Sequence, residues 1–347
     1  RTTTRFHHFY LFMFTARVSN DEIVYRPKEL KHVRHYILGN RIGRGSYGNV
    51  KEALDIETKK RVAIKICKDK QLRKIPGGKK QVLDETKILE KLHHRNVIKF
   101  YEHWIDGDKI YFVLQYLGGG SLNDYLKKQK DKKLSSSQAR SIFCDLINGL
   151  EYIHDLGIVH GDIKPDNLLL SSRGELKIID FGVSIELDKV EEEEEDRNEH
   201  DNDKSCCLGT RGNGTVAFQP PEVVSGNVKF VDCGVRLDIW AAGVVLYIIT
   251  IGEYPFKGNS LSSLLDSICS AEIYLPEDLD KNLKDLLKQL LATNSDKPIT
   301  IQDIKDHPWF NKGKTDIEIT PIESIFEKRR RGGYRISPTL YPDVERD

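Results

Sequence analysis

The 347-residue chain is long enough for one large two-lobed domain or two small ones with an ample core. Charged residues make up 31% of it but nearly cancel, to a formal net charge of +1, which excludes the basic excess of a nucleic-acid-binding protein. No apolar run reaches the ~18 residues that span a bilayer, so no transmembrane segment is expected. The six cysteines form no CxxC pair and no zinc-finger spacing, as in a reduced, intracellular protein, and adjacent Cys206-Cys207 are poorly placed to bridge.

In chain order, Met13 is the single methionine. Translation is expected to begin there, with residues 1–12 an upstream reading-frame extension or a fragment edge and 1–35 an N-terminal extension. Tyr36 to Ile42 and Val50 to Asp55 read as strands around a glycine-rich turn, and Arg61 to Cys67 alternates as a third. Gln81 to His93 carries Val82, Leu89 and Leu92 among charges, a helical pattern. Ile110 to Gln115 reads as a strand running into Gly118-Gly119-Gly120, a hinge over 115–120. Helices are expected at Leu122 to Gln129, Ser136 to Leu156, Asp238 to Gly252, Ser260 to Ala271, Asp280 to Ala292 and Thr300 to Phe310. The pattern predicts an α+β chain, a strand-rich lobe (36–116) joined to a larger helical one (121–312). Glu186 to Asp203, with five consecutive glutamates from Glu191, reads as a disordered insert, and 313–347 as a flexible tail.

Gly43-Arg44-Gly45-Ser46-Tyr47-Gly48-Asn49-Val50 has glycines where a backbone would approach phosphate oxygens. The same spacing opens dinucleotide-binding folds and plain hairpins, but a dinucleotide fold requires a helix directly after the third glycine, and here a strand-like segment follows. Val62-Ala63-Ile64-Lys65 then supplies a cation for α- and β-phosphates. Its carboxylate partner should lie on the next helix, and Glu85 fits because Leu89, one turn later, faces the core. Asp84 and Glu90 read as solvated charges. The densest cluster is His160-Gly161-Asp162-Ile163-Lys164-Pro165-Asp166-Asn167, followed thirteen residues later by Asp180-Phe181-Gly182. Phosphoryl transfer requires a carboxylate for the attacking hydroxyl (Asp162), a cation for the γ-phosphate (Lys164) and oxygen ligands for a hard metal ion (Asn167, Asp180).

These motifs resemble the eukaryotic protein kinase family over residues 36–312. The resemblance implies a bilobal fold with ATP and Mg²⁺ (Mn²⁺ as the alternative) in the cleft. Lys164 is the serine/threonine version of its loop, and Val183 accompanies a threonine preference. Thr215 sits where that class carries a threonine near the base. By the same resemblance Ile42, Gly43, Gly45, Ser46, Gly48, Val50, Ala63, Lys65, Glu85, Leu114, Gln115, Leu117 and Leu169 line the nucleotide, with Leu114 the gatekeeper. Glu222 closes the activation segment and Asp238 holds the catalytic loop. Leu72-Arg73-Lys74-Ile75-Pro76-Gly77 and Phe218-Gln219-Pro220-Pro221-Glu222 are similar to the liver-kinase-B type. That group implies activation-loop threonines of AMP-activated-type kinases as substrates, and activation by a pseudokinase adaptor and a helical-repeat scaffold. A cytoplasmic location is implied, with the nucleus left open. A pseudokinase acting as a binding module, and another upstream kinase with different clients, remain the alternatives.

Two positions depart from the family. Gly161 replaces the arginine that usually precedes the catalytic Asp and pairs a phosphorylated loop. Pro298 replaces the arginine that pairs the Pro-Pro-Glu glutamate, so Glu222 is expected to lack that partner, at some cost in stability or with the glutamate more solvated. The acidic insert and Lys328 to Arg331 read as solvated charge runs.

Overall fold

A computed structural model of the chain describes residues 31–45, 48–74, 77–187, 216–226, 233–293 and 298–312. Ser46, Thr215, most of the acidic insert, the basic run at 328–331 and residues 1–12 lie outside them.

Six strands build the first lobe: β1 (His32–Val33), β2 (Tyr36–Gly45), β3 (Gly48–Asp55), β4 (Arg61–Lys68), β5 (Phe100–Asp106) and β6 (Lys109–Gln115). They form one antiparallel sheet in the order β1-β2-β3-β4-β6-β5. The β2–β3 hairpin needs its glycine, because a Cβ at Gly48 would lie 2.1 Å from the Ile66 carbonyl oxygen of β4. Strand β5 was not legible in the sequence. It lies at the sheet edge and buries only Trp104, so no clean alternation marks it.

Helices α1 (Asp69–Leu72) and α2 (Gly78–Lys91) follow β4. Val82 of α2 packs with Cys67, Leu72, Ile110 and Phe112 under the sheet, while Ile88 and Leu89 join the large core below. That core is built on α4 (Ser136–Asp155) and α6 (Arg236–Ile251), with α3 (Leu122–Lys127), α7 (Leu261–Ser270), α8 (Lys281–Leu290) and α9 (Ile301–Asp306) around them. Helix α4 begins at a capping box, Ser135 with Gln138, which satisfies its first free N–H groups. Helix α6 is buried from Leu237 to Thr250, so it is apolar around most of its circumference and central to the lobe. Between β6 and α6, short strands β7 (Gly120–Ser121), β9 (Leu168–Leu170) and β10 (Leu176–Ile178) pair in the order β10-β9-β7, and β8 (Ile158–Val159) pairs β11 (Ile185–Glu186). A short helix α5 (Pro221–Val224) precedes α6.

Two expectations are corrected. The last helix stops at Asp306 rather than Phe310, because His307 precedes Pro308 and is held extended (φ −67°, ψ 136°). Glu186 is not part of a disordered insert: it pairs with Ile158 across β8–β11, and its carboxylate lies 3.0 Å from Lys91 Nζ.

Candidate active site

The cleft between the lobes gathers the predicted residues from seven separate segments. Alternation along β4 turns Lys65 inward opposite Val50 of β3 and Phe112 of β6. Its ammonium lies 2.6 Å from Glu85 Oε1 on α2 and 3.3 Å from Asp180 Oδ1. Burial alone would lower the lysine pKa, but the Glu85 and Asp180 carboxylates outweigh it and hold Lys65 above its ordinary range. The same burial pushes the neighbouring Cys67 thiol up to about 12, which keeps it a neutral core residue.

Gly45 and Gly48 face each other across the β2–β3 turn, and a Cβ at Gly45 would meet Lys65 Cε at 3.4 Å, so the hairpin lies directly over the lysine. Ala63 pairs with Leu114 across β4–β6, and Gln115 and buried Leu117 lead out of β6 towards β7. Leu169 of β9 pairs with Ser121 of β7, on the far side of that connection. Ile42 remains 40% exposed, although large and apolar, a feature in keeping with a wall that receives a planar ring.

Below the lysine, the catalytic loop is closed by its own side chains. Lys164 Nζ donates to both Asp162 oxygens at 2.9 and 2.7 Å. Asn167 Nδ2 donates to the Asp162 carbonyl at 2.9 Å and to Oδ2 at 2.8 Å. Both of these bonds run through the nitrogen, so the Asn167 carboxamide oxygen is uncommitted among the described residues, as a metal ligand must be. Among the described residues no group of three His, Cys, Asp or Glu side chains could cage a metal ion. One carboxylate and one carboxamide suit a small hard cation that completes its shell with phosphate and water.

His160 and Asp238 hold this loop in place. The Asp162 N–H donates to His160 Nδ1 at 3.2 Å, so Nε2 carries the proton and donates to the Ile179 carbonyl at 2.9 Å. Phe181 meets the His160 ring edge-on at 4.9 Å and is buried. Asp238, fully buried at the start of α6, accepts from the N–H of His160 at 2.8 Å and of Gly161 at 2.9 Å, and from His154 Nε2 at 2.9 Å. Burial would raise its pKa, but the His154 hydrogen bond and charge, His160 and the Gly161 N–H hold the carboxyl below the usual range. Gly161 has φ +75°, a left-handed conformation that a side chain makes costly, while the adjacent segment turns through Asp180 at φ +62°.

Residues 36–310 match the model of the protein kinase domain. The chain belongs to the protein kinase family. The serine/threonine-protein kinase STK11 of Gallus gallus is 40% identical over 314 residues, covering 89% of this kinase and 68% of the relative. Its Homo sapiens counterpart is 40% identical over 303 residues, 86% of this kinase and 66% of the relative. The stk11 homolog of Dictyostelium discoideum is 40% identical over 312 residues, 89% of this kinase but 50% of its own length. The kinase is therefore of the STK11 serine/threonine type and, through its family, uses ATP and a divalent metal. It spans between about half and two thirds of the length of these relatives.

Three contacts escaped the sequence reading. Gln81 Nε2 donates to the Gly182 carbonyl at 2.7 Å, and Lys91 pairs with Glu186, so α2 is tied to the activation segment at both ends. Gln81 lies four residues before Glu85, one turn along the same helix face, which was the signal available. Glu222 lacks an arginine at 298 but is paired from elsewhere: Arg236 Nη2 lies 3.0 Å from Glu222 Oε1.

Proposed function

We propose that this kinase transfers the γ-phosphoryl of ATP, bound with Mg²⁺, to serine and preferentially threonine hydroxyls on the activation loops of AMP-activated-type kinases. Mn²⁺ would serve in place of Mg²⁺. Asp162 orients the hydroxyl, Lys164 neutralises the γ-phosphate, Asn167 and Asp180 hold the metal, and Lys65, fixed by Glu85, holds the α- and β-phosphates. Catalysis is then positioning and charge stabilisation, with no covalent intermediate.

Activity is set by partners, a pseudokinase adaptor and a helical-repeat scaffold, rather than by phosphorylation of the kinase's own loop. The observation that carries this is Gly161. The position before Asp162 has no side chain to pair a loop phosphate, and its N–H is already committed to Asp238. A cytoplasmic location, with the nucleus left open, belongs to the same proposal.

The test is transfer from labelled ATP to an inactive catalytic domain of an AMP-activated kinase, with and without adaptor and scaffold, and with Asp162→Ala as control. Transfer to the activation-loop threonine that rises with the partners and vanishes in the control is expected. Transfer only to generic peptides would overturn the proposed clientele, and activity indifferent to the partners would overturn the proposed regulation.

A further inference from the structure

Glu222 lies in the short helix α5 (Pro221–Val224), which follows the Val216–Phe218 turn. Ser225 Oγ caps its carbonyl at 3.3 Å, but the carboxylate is reached, among the described residues, only by Arg236 at 3.0 Å and the Cys233 thiol at 3.8 Å. A neutral thiol is a weak donor, so the guanidinium is the principal hold.

Arg236 opens helix α6, two residues before Asp238. The first turn of one buried helix therefore carries two anchors: Asp238 grips the backbone of His160 and Gly161, and Arg236 grips Glu222. Pro298 stands nearby, since Glu222, Arg236 and Pro298 line one small void together with Trp240 and Leu290. On the other side of Arg236 and Pro298, towards Glu151, His154 and Asp155, the surface opens into a cavity of about 430 Å³.

We infer that Arg236 is a positioning residue that replaces the missing arginine at 298, latching the substrate-side end of the activation segment to the same turn of α6 that holds the catalytic loop. Moving the cation from the α8–α9 connection to α6 couples the substrate platform directly to Asp238. The inference rests on the kinase reading for its kinetic consequence but not for its geometry.

Arg236→Met keeps most of the aliphatic stem and removes the charge. The pair is partly exposed, with side-chain exposures of 45% and 21%. The expected effect is therefore modest: a rise of about three- to fivefold in KM for a threonine peptide, with KM for ATP unchanged. Arg236→Lys should recover part of it. Pro298→Arg added to Arg236→Met should restore the peptide KM, because position 298 lines the same small void as the Glu222 carboxylate. Glu222→Gln combined with Arg236→Met should be no worse than either alone. Amide hydrogen exchange over 216–226, measured on the full chain with a thermal midpoint for each variant, gives a second readout. It should quicken about threefold in Arg236→Met and recover with Pro298→Arg. Unchanged exchange and peptide KM in a folded Arg236→Met protein would overturn the latch, as would additive single effects with no rescue by Pro298→Arg. A wild-type chain that transfers no phosphate to any peptide, yet shows the exchange pattern, would keep the latch and reject the kinase reading instead.

Discussion

Two charged clusters make this site, and they are built differently. Around Asp238 of α6, every partner comes from the end of α4 or the loop after β8, and the carboxylate receives two backbone N–H groups and a histidine. Around Lys65 of β4, the partners come from helix α2 of the same lobe and from the activation segment, at 2.6 and 3.3 Å. The first cluster is part of the fold's rigid framework. The second exists only while α2, β4 and the segment at Asp180 lie in register. Loss of the first should be read as lost stability, loss of the second as lost catalysis.

The largest effects test the catalytic side of that contrast. Asp180→Ala and Lys65→Met are each expected to lower kcat at least ~10³-fold, since each removes charge aimed at the reacting phosphates. The fold should survive in Lys65→Met, because the buried Glu85 can take up a proton once its partner is gone. Near-normal turnover in either purified protein, measured by labelled-phosphate transfer, would remove these residues from the site.

Acid titration sharpens the other side. The Asp238 carboxyl titrates below its unfolded value, so its contribution to stability is complete above about pH 4 and is lost as pH falls through the lower folded value. Urea midpoints should therefore fall more steeply in that acid window for the wild type than for Asp238→Asn. Parallel slopes would show that Asp238 is not a charged hub.

The smallest expected effect lies between the clusters. Lys91→Ala removes an ion pair that is exposed on the lysine side, between α2 and Glu186. Activity should drop about twofold to fourfold, with a change in thermal midpoint of a degree or two. A loss as deep as that of Lys65→Met would mean that α2 is held mainly from this end.

Much of the catalytic cluster was legible because its chemistry sits in short runs. The glycine turn, Lys65 and the Asp162 to Asn167 loop each fall within eight residues, and the one-turn spacing from Glu85 to Leu89 placed the glutamate on the inner face. The structure places the Glu85 carboxylate 2.6 Å from Lys65 Nζ, on the face that spacing gave, and brings Asp180 to 3.3 Å as well. What was not legible depends on tertiary contact. Nothing near Arg236 in the sequence points to Glu222, fourteen residues away across a turn, and Pro298 argued only for a carboxylate without its usual partner. Likewise the role of His154 depends on its approach to Asp238, 84 residues further on, where the chain returns as α6. Edge strand β5 and the early end of α9 were missed for local reasons, a weakly buried face in one and a proline's effect on its predecessor in the other.

The most direct test of the contrast is to measure thermal unfolding and kcat side by side for two near-isosteric variants, Glu85→Gln and Asp238→Asn. Glu85→Gln should turn over about ten- to a hundredfold more slowly while losing less stability than Asp238→Asn, since Asp180 still pairs Lys65 once the Glu85 charge is gone. Asp238→Asn should lose about 2–4 kcal/mol, because the amide it introduces cannot accept from three donors at once. A stable Asp238→Asn protein beside an unfolded Glu85→Gln would contradict the division of labour between the two clusters.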